Sequence, residues 1–213
     1  MKEILWHGRG GQGAFTAARL LGAAASSAQG VHALAFPSFG PERRGAPMRA
    51  FTKIDQAPIG DRSAVREADY VVYLDETLLG ARWEEEVKPG GVVLVNSAKT
   101  FDDERIFSID ANGVSMEVLG RPIPNTVFLG AIAALDDAIT LESALEAVRG
   151  YMPAKLHEKN ERIVAASYRL IAEFAAARGL SPQLQKAAYS EPDAADASRE
   201  TSAEEEVRHG RRR

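Results

Sequence analysis

The sequence predicts an α/β domain with three layers and a mostly parallel β-sheet. Two continuous apolar runs, Tyr70–Leu74 and Val92–Val95, are typical of parallel strands that are buried on both faces. A short apolar run at 4–6 is followed by a glycine-rich turn and by an alanine- and leucine-rich segment at 14–28. Strand, turn and helix in this order indicate the beginning of an α/β fold.

The remaining elements include further strands and a helical C-terminal part. Strands are expected at 31–36, 48–54 and 106–109, and the alternation within Met48–Ile54 predicts that this strand is half-buried. Helices are expected at 76–87, 112–119, 125–135, 141–151 and 155–178. Pro89-Gly90-Gly91 would end the first of these helices, and Thr140 is the predicted N-cap of the fourth.

The last predicted helix ends near a change in composition. Its apolar stripe consists of Leu156, Ile163, Val164, Leu170, Ile171 and Phe174, and Gly179 would end it. From Ser190 to Arg213 the chain carries seven acidic and five basic side chains, with Val207 as the only large apolar residue. Because such a segment buries too little apolar area to fold alone, we predict a domain at 1–180. The C-terminal extension at 181–213 either contacts a partner or is disordered.

Composition and charge argue against several function classes. The 213-residue chain has 45% hydrophobic residues, a net charge of −4 and no cysteine. Its mild charge predicts no nucleic-acid partner and no membrane surface, and no run approaches the ~18 apolar residues of a membrane span. Without thiolates the chain cannot hold an iron–sulfur cluster through cysteine. Since no signal peptide is visible, we expect a cytoplasmic protein.

The glycine-rich turn is the strongest local motif. Gly8, Gly10 and Gly13, with Arg9, Gly11 and Gln12 between them, fit the G-x-G-x-x-G spacing of a Rossmann-like domain. Its amides and the following helix N-terminus would favour an anion. A dinucleotide site also needs an acidic residue ~20 positions further on, and the region 31–37 contains none. The turn is therefore a nucleotide site, a tight turn without ligand, or part of a shared site or interface.

A second loop, at 37–47, displays charge on a rigid frame. Prolines at 37, 41 and 47 each fix their own φ angle, and glycines at 40 and 45 permit sharp turns. Glu42, Arg43 and Arg44 lie between them. Arginine is suited to bidentate recognition of a carboxylate or phosphate, whereas ordinary surface ion pairs are the alternative interpretation.

The sequence contains no recognisable catalytic constellation. Its four histidines, at 7, 32, 157 and 209, share no spacing typical of a metal site. His7 and Asp75 end predicted strands, where α/β proteins bind ligands. The alternatives are a packed histidine and an aspartate that only caps the following helix. On its own, the chain does not resemble a complete catalyst.

Three segments, taken in order, carry a family resemblance. They are G-R-G-G-Q-G at 8–13, F-P-S-F-G-P-E-R-R-G at 36–45 and N-T-V-F-L-G-A at 125–131. Together they resemble the gamma subunit of 2-oxoacid:acceptor oxidoreductases, the pyruvate:ferredoxin oxidoreductase-like family. The likeness covers about residues 1–178 and includes Asn160-Glu161, where the family often has an Asn-Glu pair. Ala46 departs from it, because a second glycine is common there.

The resemblance implies a multi-subunit enzyme that decarboxylates a 2-oxoacid on thiamine diphosphate with Mg²⁺. Electrons would pass through iron–sulfur clusters to ferredoxin or another acceptor, and the acyl group usually goes to coenzyme A. The family's alpha and beta subunits hold the thiamine diphosphate, and its beta and delta chains hold the clusters. The gamma chain would bind none of these cofactors alone and would supply no catalytic residue. It would border the active site and the coenzyme A approach and hold the assembly together.

Combining residues and resemblance, we expect the two loops to meet at the carboxyl edge of the sheet. The candidate substrate-side or interface residues are Gly8, Arg9, Gly10, Gly11, Gln12, Gly13, Pro41, Glu42, Arg43, Arg44, Gly45 and Asn125. Arg9 or Arg44 would lie near a substrate carboxylate, a coenzyme A phosphate or an acid of a neighbouring subunit. The alternatives are a purely structural subunit and a stand-alone Rossmann-type nucleotide-binding protein.

Overall fold

The computed structural model of this chain describes residues 1–38 and 44–177. Six strands lie in these ranges: β1 Lys2–Arg9, β2 His32–Pro37, β3 Pro47–Asp55, β4 Ala68–Tyr73, β5 Val87–Asn96 and β6 Ile106–Ile109. The helices there are α1 Ala14–Ser26, α2 Ala111–Leu119, α3 Asn125–Leu135, α4 Leu141–Tyr151 and α5 His157–Ala177. The candidate residues Pro41, Glu42 and Arg43, the predicted helix stop Gly179 and the predicted extension 181–213 lie outside the described residues.

The strands form one mixed sheet in the order β2-β3-β1-β4-β5-β6. β1, β4, β5 and β6 are parallel neighbours, whereas β3 runs antiparallel to both β1 and β2. This arrangement confirms the predicted α/β fold with a mostly parallel sheet. It also means that the strand following α1 does not lie beside β1, because β3 separates the two.

The two faces of the sheet are covered differently. All five α-helices pack on one face, in an apolar cluster that includes Ile4, Trp6 and Leu94. The opposite face, which includes Leu5 and Phe51, is covered by short 3₁₀ turns and loops. The third layer therefore consists of turns and loops rather than α-helices. Within the described ranges, no helix is both long and apolar enough to cross a membrane.

The predicted helix at 76–87 is wrong. The structure has two 3₁₀ turns, Glu76–Leu78 and Trp83–Glu86, and Leu78, Leu79 and Trp83 pack against the sheet. The two short turns allow all three apolar side chains to face the sheet. Pro89-Gly90-Gly91 also does not end a helix but lies inside β5, where the pairing with β4 shifts register. A Cβ atom on Gly91 would approach the Ala68 carbonyl oxygen to 3.0 Å, so this irregularity needs glycine.

Two burial predictions also differ from the structure. β3 is buried on both faces from Ala50 to Ile54, because its polar residues find internal partners. Thr52 accepts a hydrogen bond from the Trp6 indole, and the Lys53 ammonium pairs with Asp61. The predicted apolar stripe of the last helix is wrong for Leu170 and Phe174, which are exposed on α5, and for Leu156, which is exposed and lies before α5 begins. The small polar residues Asn160 and Ser167 are buried against α3 in their place.

The other C-terminal predictions agree closely with the structure. α3, α4 and β6 begin and end at the predicted residues. The Thr140 hydroxyl accepts from the Ser143 backbone N–H, and the Ser143 hydroxyl accepts in turn from the Thr140 N–H. This reciprocal capping box satisfies two backbone donors at the start of α4.

Candidate functional site

The glycine turn and the end of the second loop meet at the carboxyl end of β1. The Gly10 N–H donates to the Ala46 carbonyl at 2.9 Å, and the Gly45 N–H donates to the Gly10 carbonyl at 3.0 Å. Since β3 begins at Pro47 and runs antiparallel to β1, the end of one strand adjoins the start of the other. The expectation that these loops lie together agrees with the structure, and Ala46 takes part through its backbone.

Arg9 is directed into the chain rather than away from it. Its Nε donates to Asp75 Oδ2 at 2.9 Å, and its terminal nitrogens donate to Thr77 Oγ1 at 2.8 Å and the Gly45 carbonyl at 3.2 Å. Asp75 and Thr77 follow β4, the parallel neighbour of β1. Arg9 therefore ties together the ends of two strands and the second loop.

Gln12 fills the inside of the glycine turn. Its Oε1 accepts from the Arg9 backbone N–H at 2.7 Å, and its Nε2 donates to Asp75 Oδ2 at 3.2 Å. A phosphate bound by such a turn would need the free backbone donors of the loop. Because the chain's own side chain takes one of them, this turn differs from an open phosphate cradle.

Asn125 brings the third motif to the same place. It is the first residue of α3 and is 4% exposed, and its Oδ1 accepts from the Thr126 backbone N–H. Gly13 has a φ angle of +82° and packs directly on it, so that a Cβ at Gly13 would lie 2.6 Å from Asn125 Nδ2. The described parts of all three motifs thus converge at one edge of the sheet.

Asp75 caps the 3₁₀ turn at Glu76–Leu78 and also accepts hydrogen bonds from Arg9 and Gln12 of the glycine turn. Its Oδ1 accepts from the backbone N–H and the hydroxyl of Thr77, and its Oδ2 accepts from Arg9 and Gln12. Burial acts to raise the pKa of Asp75, but the hydrogen bonds from Thr77, Arg9 and Gln12 outweigh it and lower the pKa. The structure shows the cap that was one of the two sequence interpretations of Asp75, at the start of a 3₁₀ turn rather than of an α-helix, and a ligand-binding role for Asp75 stays a prediction.

Replacing Asp75 by asparagine is expected to lower the free energy of unfolding at pH 7 by about 1 kcal/mol, since the partly exposed Arg9 pair loses its charge. A lowered pKa stabilises the fold above the unfolded-state pKa of about 3.9, and this stabilisation is lost as the pH falls through the folded-state pKa. The difference between wild type and variant should therefore shrink below about pH 4. Urea unfolding at several pH values measures it.

Asp102→Asn is the matched control for this experiment, because Asp102 is exposed and has no ion pair within the described residues. We expect it to change the free energy of unfolding by less than about 0.5 kcal/mol at every pH. A difference between wild type and Asp75→Asn that stayed constant down to pH 2 would contradict an ionised, hydrogen-bonded Asp75.

A polar cleft of about 370 Å³ lies beside the turn, at the carboxyl ends of β4, β5 and β6. It is lined by Gln12, Leu74, Asp75, Glu76, Asn96, Ser97, Ala98, Lys99, Asp110 and Asn112. Glu76 pairs with Lys99 and accepts from Ser97, and these hydrogen bonds, Lys99 foremost, lower the pKa of Glu76. The charges of Glu76 and Lys99 are thus compensated within the chain.

His7 is a packed histidine, which is one of the two alternatives given by the sequence. Its ring stacks on Tyr73 with centroids 4.5 Å apart, and its Nε2 lies 2.9 Å from Glu86 Oε2. Tyr73 donates to the same oxygen at 2.6 Å. Burial opposes ionisation of Glu86, yet the contacts with His7 and Tyr73 lower its pKa. Sequence reasoning missed Glu86, because no local signal pairs residues that are 79 positions apart.

The Asn-Glu pair in α5 contributes to helix packing. Asn160 Oδ1 accepts from the Thr126 hydroxyl of α3 at 2.9 Å, and its Nδ2 donates to the Leu156 carbonyl. Glu161 forms an ion pair with Arg149 of α4 at 3.0 Å. The pair therefore connects α5 to α3 and α4, and Asn160 meets α3 one residue after Asn125.

The topology does not favour a dinucleotide site at the glycine turn. In a dinucleotide-binding unit the strand after the first helix lies next to the first strand and carries the acid that binds ribose. Here antiparallel β3 lies between β1 and β2, and β2 carries no acidic residue. In the described part of the chain, no group of three or more His, Cys, Asp or Glu side chains could hold a metal ion.

Comparison with known proteins assigns the chain to a protein family. The family described as "Pyruvate ferredoxin/flavodoxin oxidoreductase" matches residues 3–170. The pyruvate synthase subunit PorC of Methanothermobacter marburgensis is 46% identical over 171 residues, which cover 79% of this chain and 96% of that protein. The common subunit gamma of the Thermococcus kodakarensis pyruvate/ketoisovalerate oxidoreductases is 42% identical over 178 residues, covering 79% of this chain and 96% of that subunit.

Solved structures agree with this comparison. The pyruvate oxidoreductase subunit PORC of Thermotoga maritima matches with a TM-score of 0.68 and 36% identity, covering 79% of this chain and 95% of that one. A 2-oxoglutarate:ferredoxin oxidoreductase of Magnetococcus marinus, 20% identical with a TM-score of 0.59, shares the fold over 84% of this chain and 31% of its own.

Fold, converging motifs and relatives together define a gamma-type subunit of an oxidoreductase. The chain belongs to the pyruvate ferredoxin/flavodoxin oxidoreductase family. Its relatives align with about four fifths of its length, so the family assignment rests on the α/β domain.

Proposed function

We propose that this chain is the gamma subunit of a multi-subunit 2-oxoacid:ferredoxin oxidoreductase. In that complex it borders the active site and the coenzyme A approach and holds the assembly together. The relatives support this proposal, because their names describe subunits of enzymes that act on pyruvate and ketoisovalerate. The reaction is the oxidative decarboxylation of a 2-oxoacid, with transfer of the acyl group to coenzyme A.

The observation that carries the proposal is the position of Arg44. Its backbone pairs with Gly10 in an isolated bridge, which anchors the second loop to the glycine turn. The side chain is exposed, and no carboxylate within residues 1–38 and 44–177 forms an ion pair with it. Arg9 is engaged by Asp75, so of the two candidate arginines Arg44 is the one available to an anion from outside the chain.

Two helix N-termini increase the preference of this edge for an anion. α1 starts after Gly13 and α3 starts after Pro124; neither of these N-cap residues supplies a side-chain hydrogen bond, and neither first turn has an acidic residue. The Asn125 side chain takes only the Thr126 N–H of α3. Contact between Gly13 and Asn125 brings the two starts together. The positive ends of both helix dipoles therefore favour a negative group, such as a substrate carboxylate or a coenzyme A phosphate.

The cofactors of the reaction belong, in this proposal, to the other subunits. The chain has no cysteine, so thiolate ligands of iron–sulfur clusters must come from beta- or delta-type chains. Thiamine diphosphate with Mg²⁺ lies between alpha- and beta-type subunits, and ferredoxin or another acceptor takes electrons from the clusters. We also propose a cytoplasmic complex, which fractionation of the source cell would test.

Replacing Arg44 by alanine in the purified complex is expected to raise the KM for the 2-oxoacid or for coenzyme A by about 10-fold or more, since a hydrogen bond to a charged group contributes about 1.5–3 kcal/mol. Arg44→Lys should recover only part of this loss, because lysine keeps the charge but not the two-pronged geometry. Steady-state kinetics with each substrate varied in turn measure both effects.

The matched control is Arg62→Ala, because Arg62 is also exposed but follows Asp61, the carboxylate that binds Lys53 away from the glycine turn. It should leave both KM values unchanged. If Arg44→Ala weakened subunit association but the complex that still assembled had unchanged kinetics, the result would favour a purely structural subunit. Unchanged kinetics and unchanged assembly would remove the role of Arg44.

A further inference from the structure

We infer that the free edge of β2, with the groove between β2 and α1, binds an extended segment of a partner subunit that carries an acidic side chain. The inference rests on the proposed function only in that the partner is another subunit of the same oxidoreductase. The surface is defined by the backbone of Ala33 and Ala35, the small residues of the groove and Arg19. It lies apart from the glycine turn and uses none of its residues.

The register of β2 identifies which backbone groups are available. The Ser38 N–H donates to the Arg49 carbonyl at 2.8 Å, so the pair 38/49 is hydrogen-bonded. Since such pairs alternate in an antiparallel ladder, residues 32, 34 and 36 also bond to β3. The N–H and C=O groups of Ala33 and Ala35 therefore point away from β3. β2 ends the sheet, and in the part of the chain that the structure describes no strand pairs with this edge.

A groove of about 380 Å³ runs along this edge. The residues that line it are Arg19, Gly22, Ala23, Ser26, Ser27, Ala33, Ala35 and Tyr151. Most of these side chains are small, so the groove has room for side chains of an added strand. An added strand gains main-chain hydrogen bonds along the edge and places alternate side chains into pockets beside it.

Arg19 supplies a positioned positive charge at this groove. Its guanidinium carbon lies 5.8 Å from the ring centroid of Phe15 and 5.4 Å from that of Tyr151, which holds it between two aromatic side chains. Within the described ranges no carboxylate forms an ion pair with Arg19. Arg105 provides the contrast, because it stacks on Trp83 and also pairs with Asp103 and Glu84.

Charge complementarity argues for an acidic partner segment over a second copy of this chain. In a two-fold symmetric pairing of β2 edges, each copy would present the same surface, so Arg19 would meet no carboxylate from that surface. An Asp or Glu side chain on the incoming strand would instead form a charge-assisted hydrogen bond with the stacked guanidinium. Tyr151 is 57% exposed, and the incoming strand would cover it.

The first test compares two substitutions of Ala35 in the tagged full-length chain, co-purified with its partners from the source cell. Ala35→Pro removes the outward-pointing N–H, at a position of an edge strand where proline is tolerated. We expect the chain to dissociate from the complex at least 10-fold faster. Ala35→Ser keeps the donor and nearly the same size, so its dissociation rate should equal that of the wild type. Circular dichroism of each purified chain verifies that the fold is retained.

The second test identifies the occupant through its charge. Arg19→Glu should also accelerate dissociation at least 10-fold. A photo-cross-linking amino acid at Ser26, within the groove, should capture a peptide of a co-purifying subunit that contains Asp or Glu. Replacing that acid by arginine should restore the assembly of Arg19→Glu, which a merely structural effect of the substitution would not allow.

Several outcomes would overturn the inference. One is a cross-link to a second copy or within the chain itself, and another is unchanged dissociation in both Ala35→Pro and Arg19→Glu. The proposed function fails in a different way, because the wild-type chain would then be recovered without oxidoreductase subunits. Recovery of those subunits with no effect of the β2-edge substitutions would remove this inference alone.

Discussion

Replacing Gly130 by alanine is expected to lower the free energy of unfolding by about 3 to 4 kcal/mol, at or above the usual range for an overpacked core. A Cβ atom at Gly130 would lie 2.2 Å from the Val164 carbonyl oxygen and 3.1 Å from the Tyr168 backbone nitrogen. Both atoms belong to the backbone of α5, so no side-chain rotation relieves the collision. The added methyl group must push α3 and α5 apart.

Separation of these helices would also weaken the polar contacts between them. The Ser167 hydroxyl donates to the Val127 carbonyl at 2.5 Å, and the Thr126 hydroxyl donates to Asn160 at 2.9 Å. These groups are buried, so a lost partner leaves an unsatisfied polar atom that costs about 1–3 kcal/mol. Overpacking and lost hydrogen bonds therefore act in the same direction.

Gly150→Ala is the matched control for Gly130→Ala, because it makes the same substitution inside a helix with nothing within 4 Å of the new Cβ. It should raise the free energy of unfolding by up to about 1 kcal/mol, since alanine is the better helix former. Urea unfolding followed by circular dichroism measures both variants. Equal effects of the two substitutions would contradict the close backbone contact between α3 and α5.

The elements that the sequence predicted best are those whose local residue pattern is compatible with only one type of structure. α3 is a run of small apolar residues that only a buried position accommodates, and its predicted ends agree with the structure. Thr140 followed by Ser143 is a local capping signal, and the structure uses it. The glycine turn was also recognisable from its sequence. Glycines at this spacing indicate a tight turn with positive φ angles, which residues other than glycine rarely adopt.

Partner choice and strand direction were not predictable from local pattern. Alternation at 48–54 predicted a strand but not that β3 runs antiparallel between β1 and β2. The acidic stretch at 76–87 has helix-forming residues, but it forms two 3₁₀ turns instead of one helix. Leu78, Leu79 and Trp83 pack on the sheet from these turns. Arg9 and Asp75 are 66 positions apart, so their ion pair appears only when β1 and β4 become neighbours.

Replacing Gly13 by alanine is expected to lower the free energy of unfolding by about 3 kcal/mol, from a left-handed backbone and a steric collision together. Gly13 has a φ angle of +82°, and a Cβ there would lie 2.6 Å from Asn125 Nδ2. Gly11→Ala isolates the backbone component, because Gly11 has a φ angle of +100° and open space around it. That control should cost only about 1–2 kcal/mol.

A double-mutant cycle with Asn125→Ala separates the collision from the backbone strain. In the Asn125→Ala background, Gly13→Ala should cost only about 1–2 kcal/mol, as Gly11→Ala does, because the amide that it would meet is gone. Urea unfolding of the four chains gives the coupling energy. If Gly13→Ala cost the same in both backgrounds, Asn125 would not press on the turn. The starts of α1 and α3 would then be independent, and the argument that they bind one anion together would lose its structural basis.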